Sequence, residues 1–549
     1  MTPFQEFRLW ARRAPRGDRA AALTSALVVC GLIAYVAVPG SSTAKGPAVL
    51  FGTTPSAAAA AAPTEAVATA AAPGAGVTPV VGAPTPAAES TIATSIANGI
   101  PGPGPAVTAP VTTPTSGPAP TTHKPGQTTT SSTPAANCLP SSAKGITDKE
   151  IKVAAVLTAI AQSAGGGVGN GTFGVASVDQ QKAFYSAAVN DLNARGGVAC
   201  RKVTLSFYNG DPTDNSQLTT TCQDIAQAGN FAVLDSGAYA QSTAETCYAE
   251  HKVIYIGGYL LFESLREQYY PYLFEFNTYD RVYHDTVVGL AAKGFFSAQN
   301  GFKKLGIFYR TCFGDAALKK TEAWLAQVGV TKGQLSEYSF GCPTIFASPN
   351  DVQAALLQFR RDGVTHVTYV QGVADLAAFA QGADEQGIHN WKYGLPDDEM
   401  VTVTSSGAST MPPADQMVGA IAVANARDGE DHTPGYVPSA GTKRCDAIFT
   451  KYGNLAATYK QPYAGGNACD EVWMLEAMIS HAPALAPDQM ALGLQRSQSL
   501  DLSFPQGPTS YDTTGETTGG QFFRYVGFLQ SCSCWQVTDP NFQPSTYHP

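Results

Sequence analysis

From Gly145 onward, short apolar runs alternate with stretches of helical spacing. Ile151–Thr158 (IKVAAVLT) predicts a strand, and across Val178–Arg195 the residues Phe184, Ala188 and Leu192 fall on one face of a helix. Gly196-Gly197 supplies the left-handed end that such a helix needs. Arg201–Tyr208 (RKVTLSFY) alternates as a strand. Next come a helix over Asn215–Gln227, a strand over Phe231–Leu234, a helix over Ala240–Glu250 and a strand over Val253–Ile256. The rhythm then restarts. Leu305–Tyr309, Leu335–Phe340 and His366–Val370 read as strands, separated by helices over Ala316–Val328 and Val352–Arg361 and followed by one over Val373–Glu385.

Repeated β-α-β units predict an α/β fold with parallel sheets covered by helices on both faces. Two such series joined by a longer segment predict two Rossmann-like lobes. Ligands in this architecture bind outside the carboxyl ends of the strands, and between lobes where there are two.

Composition separates this folded part from what precedes it. Residues 41–137 hold four charged side chains (Lys45, Glu65, Glu89, Lys124), one aromatic (Phe51) and sixteen prolines. Such a stretch cannot bury enough apolar surface to offset the entropy of ordering it, so a disordered Ala/Pro/Thr-rich linker is expected over 39–137. Before it, Ala20–Val38 is a run of nineteen uncharged residues preceded by Arg8, Arg12, Arg13, Arg16 and Arg19. Its length suits a transmembrane signal anchor, with the basic segment 1–19 cytoplasmic and the rest outside. Two alternatives stay open. One is a signal peptide cut after Ala44, which would release a secreted protein. The other is lipidation at Cys30, although Val29 stands where a small residue is usual. As a tether, the 97-residue stretch has a reach of roughly 50–60 Å.

Charge follows the same division. The leader carries +3 and the linker is neutral, so of the chain's net −9 the folded part bears −12. An acidic domain without basic clusters argues against nucleic-acid binding. Ten of the eleven cysteines lie in 138–549, with no C-x-x-C pairs and no histidine at ligand spacing. Disulfides in an oxidising compartment fit this better than metal sites. Cys532-Ser533-Cys534 are too close to bridge each other comfortably, so each is expected to pair elsewhere.

Several stretches resemble the leucine/isoleucine/valine (branched-chain amino-acid)-binding family of type I periplasmic binding proteins. Gly145-Ile146-Thr147-Asp148-Lys149-Glu150-Ile151-Lys152-Val153 is similar to the family's entry into its first strand. Asn193-Ala194-Arg195-Gly196-Gly197 resembles the end of its first helix, and Asn209-Gly210-Asp211-Pro212 matches the close of the next strand. The resemblance extends over about 145–530. It implies a chain that crosses between lobes three times, with lobe 1 about 138–277 and 424–505 and lobe 2 about 278–423 and 506–549. Closure about those crossings would trap a ligand.

The resemblance also implies where that ligand sits. The segment after the third strand, Gly237–Thr243, would present Tyr239, Gln241 and Ser242 to it beside a helix N-terminus. After the fourth strand, Tyr259 is a candidate, and Leu261 stands where the family offers a hydroxyl. In the second lobe, Asp397 in Pro396-Asp397 would meet an ammonium, and Phe313 and Gln371 occupy loops expected to face the cleft. Gly169-Asn170-Gly171-Thr172-Phe173-Gly174 has a dinucleotide-loop form, but it lies too far from its strand and reads as a cleft-lining loop. Cys222–Cys247 is expected to clamp neighbouring helices, Cys312 could bridge Cys342, and Cys445–Cys469 would be local; spacing alone does not select the connectivity.

The function implied is an extracytoplasmic solute-binding receptor, feeding a small organic ligand (amino-acid-like, amide or aromatic acid) to an ABC-type permease. Tyr239, Tyr259, Leu261 and Phe313 favour an aromatic or partly apolar ligand. A membrane-tethered sensor for signalling is the alternative. An extracellular enzyme is a remote third, since the chain shows no G-x-S-x-G, no H-E-x-x-H and no metal cluster. No cofactor is expected.

Overall fold

The computed structural model describes residues 138–159, 176–212, 214–235, 242–257, 261–311, 315–341, 347–370, 373–396, 412–427, 429–453, 455, 462–511 and 518–548, all within one compact unit, His123–Pro549. The expected membrane span at 20–38 and the linker lie outside the described residues. Among those described, no helix is long and apolar enough to cross a membrane.

The first series builds a five-stranded parallel sheet. Its strands are β1 (Glu150–Thr158), β2 (Lys202–Gly210), β3 (Ala232–Asp235), β4 (Ile254–Gly257) and β5 (Leu273–Phe274), in the order β2-β1-β3-β4-β5. Strands covered on both faces carry near-continuous apolar runs, and β1 is buried from Val153 to Thr158. Helices α1 (Val178–Ala194), α2 (Asn215–Gln227), α3 (Ser242–Glu250) and α4 (Glu263–Gln268) come from the same series. α1 opens on a capping box, with Ser177 accepting from the Gln180 N–H. It closes as expected on two glycines with positive φ, where the Gly197 N–H reaches Leu192 O at 3.0 Å.

The second series builds the other sheet from β6 (Leu305–Arg310), β7 (Leu335–Phe340), β8 (His366–Val370), β9 (Lys392–Pro396) and β10 (Ile421–Ala424). Its helices are α5 (Tyr279–Ala292), α6 (Asp315–Gln327), α7 (Pro349–Asp362), α8 (Val373–Glu385) and the short α9 (Ala414–Met417). Three further helices, α10 (Ala440–Gly453), α11 (Pro462–His481) and α12 (Met490–Ser497), return to the first sheet. A small hairpin follows, β11 (Ser499–Leu500) with β12 (Thr509–Ser510). Antiparallel strands β13 (Phe522–Leu529), β14 (Cys534–Val537) and β15 (Gln543–Pro544) then extend the second sheet beyond β10, giving the order β14-β13-β10-β9-β8-β6-β7 with β15 on β13.

Each sheet has a core on both faces. Phe184, Phe449, Trp473 and Met478 join α1, α10, α11 and α12 over one face of the first sheet. Leu218, Cys222, Tyr248 and Tyr255 seal α2 and α3 over the other. Phe359, Phe379 and Trp391 lie under α7 and α8 on the second sheet, and Val282, Leu290 and Phe295 under α5 opposite. The chain passes from the first sheet to the second after β5 and returns after β10. Tyr511 still packs in the first core, so the third passage follows it rather than falling at the expected 505–506.

Four disulfides fall within the described residues. Cys222–Cys247 joins α2 to α3 and Cys445–Cys469 joins α10 to α11, both as expected. Cys138–Cys200, which was not foreseen, ties the entry segment to the turn before β2. Across a sequence separation of 62 it restrains the unfolded chain by about 4 kcal/mol in the chain-entropy account. Cys312 and Cys342 lie outside the described residues. Cys532 and Cys534 bond to each other, contrary to expectation. In a strand, residues two apart are separated by about 6.7 Å. Here Ser533 takes a left-handed φ of 49°, and the turn brings the two Cα atoms to 5.1 Å.

The α11–α12 pair offers a test of packing. A Cβ added at Gly493 would lie 1.9 Å from the Met478 carbonyl oxygen. Gly493→Ala is therefore expected to destabilise the protein by about 2–3 kcal/mol, although alanine is the better helix former by about 1 kcal/mol. Urea denaturation decides between them: a variant as stable as wild type, or more so, would remove the close approach from the account.

Candidate functional site

Five segments leave the carboxyl ends of parallel strands where ligand contacts are expected. They follow Asp235 of β3, Gly257 of β4, Arg310 of β6, Val370 of β8 and Pro396 of β9. Tyr239, Gln241, Tyr259, Phe313, Gln371 and Asp397 belong to these segments and lie outside the described residues, as does the loop 169–174. Ser242 is placed as the first residue of α3. Leu261 is fully buried between Tyr255 and Leu273 in the core under α2 and α3, and its backbone bridges Thr278. Its side chain belongs to the core.

The described frame of the site begins at the exit of β1. Gln181, buried on α1, accepts from the Thr158 N–H at 2.8 Å. Its amide donates to Thr158 O at 2.9 Å and to Ala176 O at 2.8 Å. One side chain thus fixes both ends of the segment between β1 and α1.

Beside this edge, buried acids gather from four parts of the chain. Asp235 ends β3, Glu245 comes from α3, Glu275 follows β5 and Glu471 comes from α11; none is more than 2% exposed. Glu471 accepts from the Tyr185 hydroxyl at 2.8 Å. The Tyr255 hydroxyl and Glu275 Oε1 both crowd Gly257, where an added Cβ would lie 2.6 Å and 2.1 Å from them. Burial, reinforced by the charge of Asp235, pushes the Glu245 carboxyl up to about 8. Burial also raises Glu275 well above the ordinary range, with repulsion from Glu245, Glu471 and Asp235 added to it. Glu471 is raised well above its range too, by burial first. Glu245, Glu275 and Glu471 are all shifted toward their protonated forms, because like charges crowded in a dry interior disfavour ionisation of the whole set. Among the described residues, no group of histidine, cysteine and acidic side chains could hold a metal ion.

Sequence reading did not single out these acids, although a signal was present. Glu275 interrupts Leu273-Phe274-Glu275-Phe276, and Glu471 sits inside an apolar helix (CDEVWML). A charged residue inside an apolar run is a buried polar group in waiting.

The passages between the sheets run side by side. Gly520 N–H donates to Phe276 O at 2.8 Å, and Thr518 bridges Glu275. Gln506 N–H donates to Asn425 O at 2.8 Å and Arg427 N–H to Phe504 O at 2.9 Å. The Arg524 guanidinium reaches Gln506 Oε1 at 2.8 Å. Asn425 also donates to Asp285 on α5 at 3.0 Å, and the Ser545 hydroxyl donates to the other oxygen of that carboxylate at 2.7 Å. The C-terminal segment is therefore fastened to the same passages.

A parallel α/β sheet with its own helices on each side, three passages between the two, and loops leaving the strand ends define a two-sheet binding scaffold. The profile of the family described as periplasmic binding protein matches residues 170–526, and the chain belongs to that family. Solved structures agree in fold. A solute-binding protein of an ABC transporter from R. palustris, in complex with 4-hydroxybenzoate, is 15% identical with a TM-score of 0.54, covering 73% of this chain and 98% of that one. A possible leucine/isoleucine/valine-binding protein from Rhodopirellula baltica SH 1 is 13% identical (TM-score 0.52; 71% and 96% covered). A fatty acid ABC transporter substrate-binding protein from Thermomonospora curvata is 14% identical (TM-score 0.51; 74% and 95% covered). No curated protein matches the sequence.

Proposed function

We propose that the protein is the extracytoplasmic receptor of an ABC-type uptake system, closing two lobes about their connecting passages to capture one small organic ligand. The family match over 170–526, on a chain whose two sheets are joined by three passages, carries this reading. The ligand would contact Tyr239, Gln241, Ser242 and Tyr259 from one lobe and Phe313, Gln371 and Asp397 from the other. An amino-acid-like, amide or aromatic acid ligand suits those side chains, and the R. palustris protein of the same fold holds an aromatic acid. The apolar run Ala20–Val38 would anchor the receptor, with 39–137 as the tether.

Thermal melting against amino acids, amides, aromatic acids and sugars tests this. A ligand at about 100 times its Kd adds about 2.7 kcal/mol, a rise of a few degrees or less in a domain of this size. A saturable rise confined to one chemical class supports the receptor and names its ligand. A flat response across the panel counts against capture of a small organic solute.

A further inference from the structure

The Cys532–Cys534 disulfide stands apart from the other bridges within the described residues. Cys445 and Cys469 are buried completely, and so is Cys222. Cys138–Cys200 is exposed but spans a separation of 62. Cys532–Cys534 spans a separation of 2, on an exposed turn over 530–533. Closing so small a ring constrains the unfolded chain least, so this bridge adds least to the fold. Ser533 holds a left-handed φ, as Ala199 and Cys200 do at the Cys138–Cys200 bridge, so it is the size of the ring that sets Cys532–Cys534 apart.

The surroundings suit opening. Leu529 and Cys534, Phe528 and Trp535, Gly527 and Gln536, and Val526 and Val537 face one another along β13 and β14. Trp535 is fully buried, with its ring 5.5 Å from Phe528, so the hairpin is held without the sulfurs. The Gln536 side-chain amide lies 3.8 Å from Cys532 Sγ and 3.7 Å from Cys534 Sγ. It is a donor in place for whichever sulfur becomes a thiolate.

We propose that Cys532–Cys534 is a thiol–disulfide exchange site for an external thiol. An incoming thiolate attacks the more exposed Cys532 Sγ, forming a mixed disulfide and breaking the S–S bond. Cys534 leaves as a thiolate beside Gln536 and takes a proton from water. A second external thiolate attacks the mixed disulfide, releases Cys532 as a thiolate that is then protonated, and carries away the external disulfide. Two external thiols thereby deliver two electrons and two protons to the pair.

The test treats the folded full chain with reduced glutathione, blocks free thiols with a maleimide and maps the labelled peptides by mass spectrometry. Glutathione adduct at Cys532 and maleimide label at Cys534 are expected about tenfold faster than at the cysteines of the other three bridges, Cys138–Cys200, Cys222–Cys247 and Cys445–Cys469. Gln536→Leu is expected to slow the exchange about threefold or more without changing the melting temperature. The double variant Cys532→Ser/Cys534→Ser is expected to melt with wild type. Labelling of Cys138 and Cys200 first, or of all bridges together, overturns the proposal. So does a double variant that melts well below wild type, which would make the bridge a structural one.

Discussion

Asp470→Ala is expected to lower the stability of the protein by about 3–5 kcal/mol, because buried donors that lose their acceptor cost about 1–3 kcal/mol each. Asp470 is fully buried on α11 and accepts three hydrogen bonds: from the Ser503 N–H at 2.8 Å, the Ser503 hydroxyl at 2.9 Å and the Phe504 N–H at 2.8 Å. Those residues start the segment whose next members bond to 425–427, where the chain returns from the second sheet. The carboxylate thus pins a passage to the first core. Two readings check this. Urea denaturation gives the global loss, and hydrogen exchange at Ser503, Phe504 and Arg427 is expected to accelerate more than exchange in β1. Asp470→Asn keeps one acceptor oxygen and is expected to fall between alanine and wild type. A loss under about 1 kcal/mol for the alanine variant would show that the segment is held by packing alone.

The parallel layers were legible because central strands such as β1, β3 and β4 are buried on both faces, while the helices bury one. Asn215–Gln227, Leu335–Phe340, His366–Val370 and Val373–Glu385 begin and end where periodicity put them. α7 begins at Pro349 rather than Val352, because Ser348 and Asp351 form a capping box ahead of the first apolar position and Pro349 starts the helix. The antiparallel β13 and β14 were not expected, because strand direction is set by which strand a segment meets. The Cys222–Cys247 bridge followed from the neighbouring placement of two crossover helices, whereas Cys138–Cys200 depended on where an irregular entry segment lies. The Cys532–Cys534 pairing turned on one left-handed residue that spacing does not reveal. The acid set was half legible: Glu275 and Glu471 show as charges in apolar runs, but their grouping with Asp235 and Glu245 is created by the fold. The seven residues expected to touch ligand remain a proposal resting on family resemblance and on the strand ends they follow.

That acid set makes the protein lose stability as pH rises through neutrality. In the unfolded chain Glu245, Glu275 and Glu471 release their protons near 4.5. In the folded protein Glu245 keeps its proton up to about 8, and burial raises Glu275 and Glu471 well above their ordinary values. Folding therefore takes up protons across this window. The stability these groups contribute is fully present below about 4.5 and is lost as pH climbs through their folded values, at about 1.4 kcal/mol per pH unit for each retained proton. His366 acts in the opposite sense. Burial lowers its pKa from 6.5 to about 4, so it takes stability away as pH falls below 6.5. Between pH 6.5 and 8 the histidine is largely neutral in both states. The acid set there acts together with Asp470, whose carboxyl is pushed by burial up to about 7 and which changes stability in the same sense. Denaturation midpoints are expected to fall over that interval by at least the slope of one proton. Glu275→Gln keeps the shape and the burial but removes one ionisable group. It is expected to be more stable than wild type at pH 8, nearly equal to it at pH 5, and to show a shallower slope between 6.5 and 8. A wild-type protein that gains stability from pH 6.5 to 8, or a Glu275→Gln variant with an unchanged slope, would mean that these carboxylates are ionised in the folded state and held by partners that offset their burial.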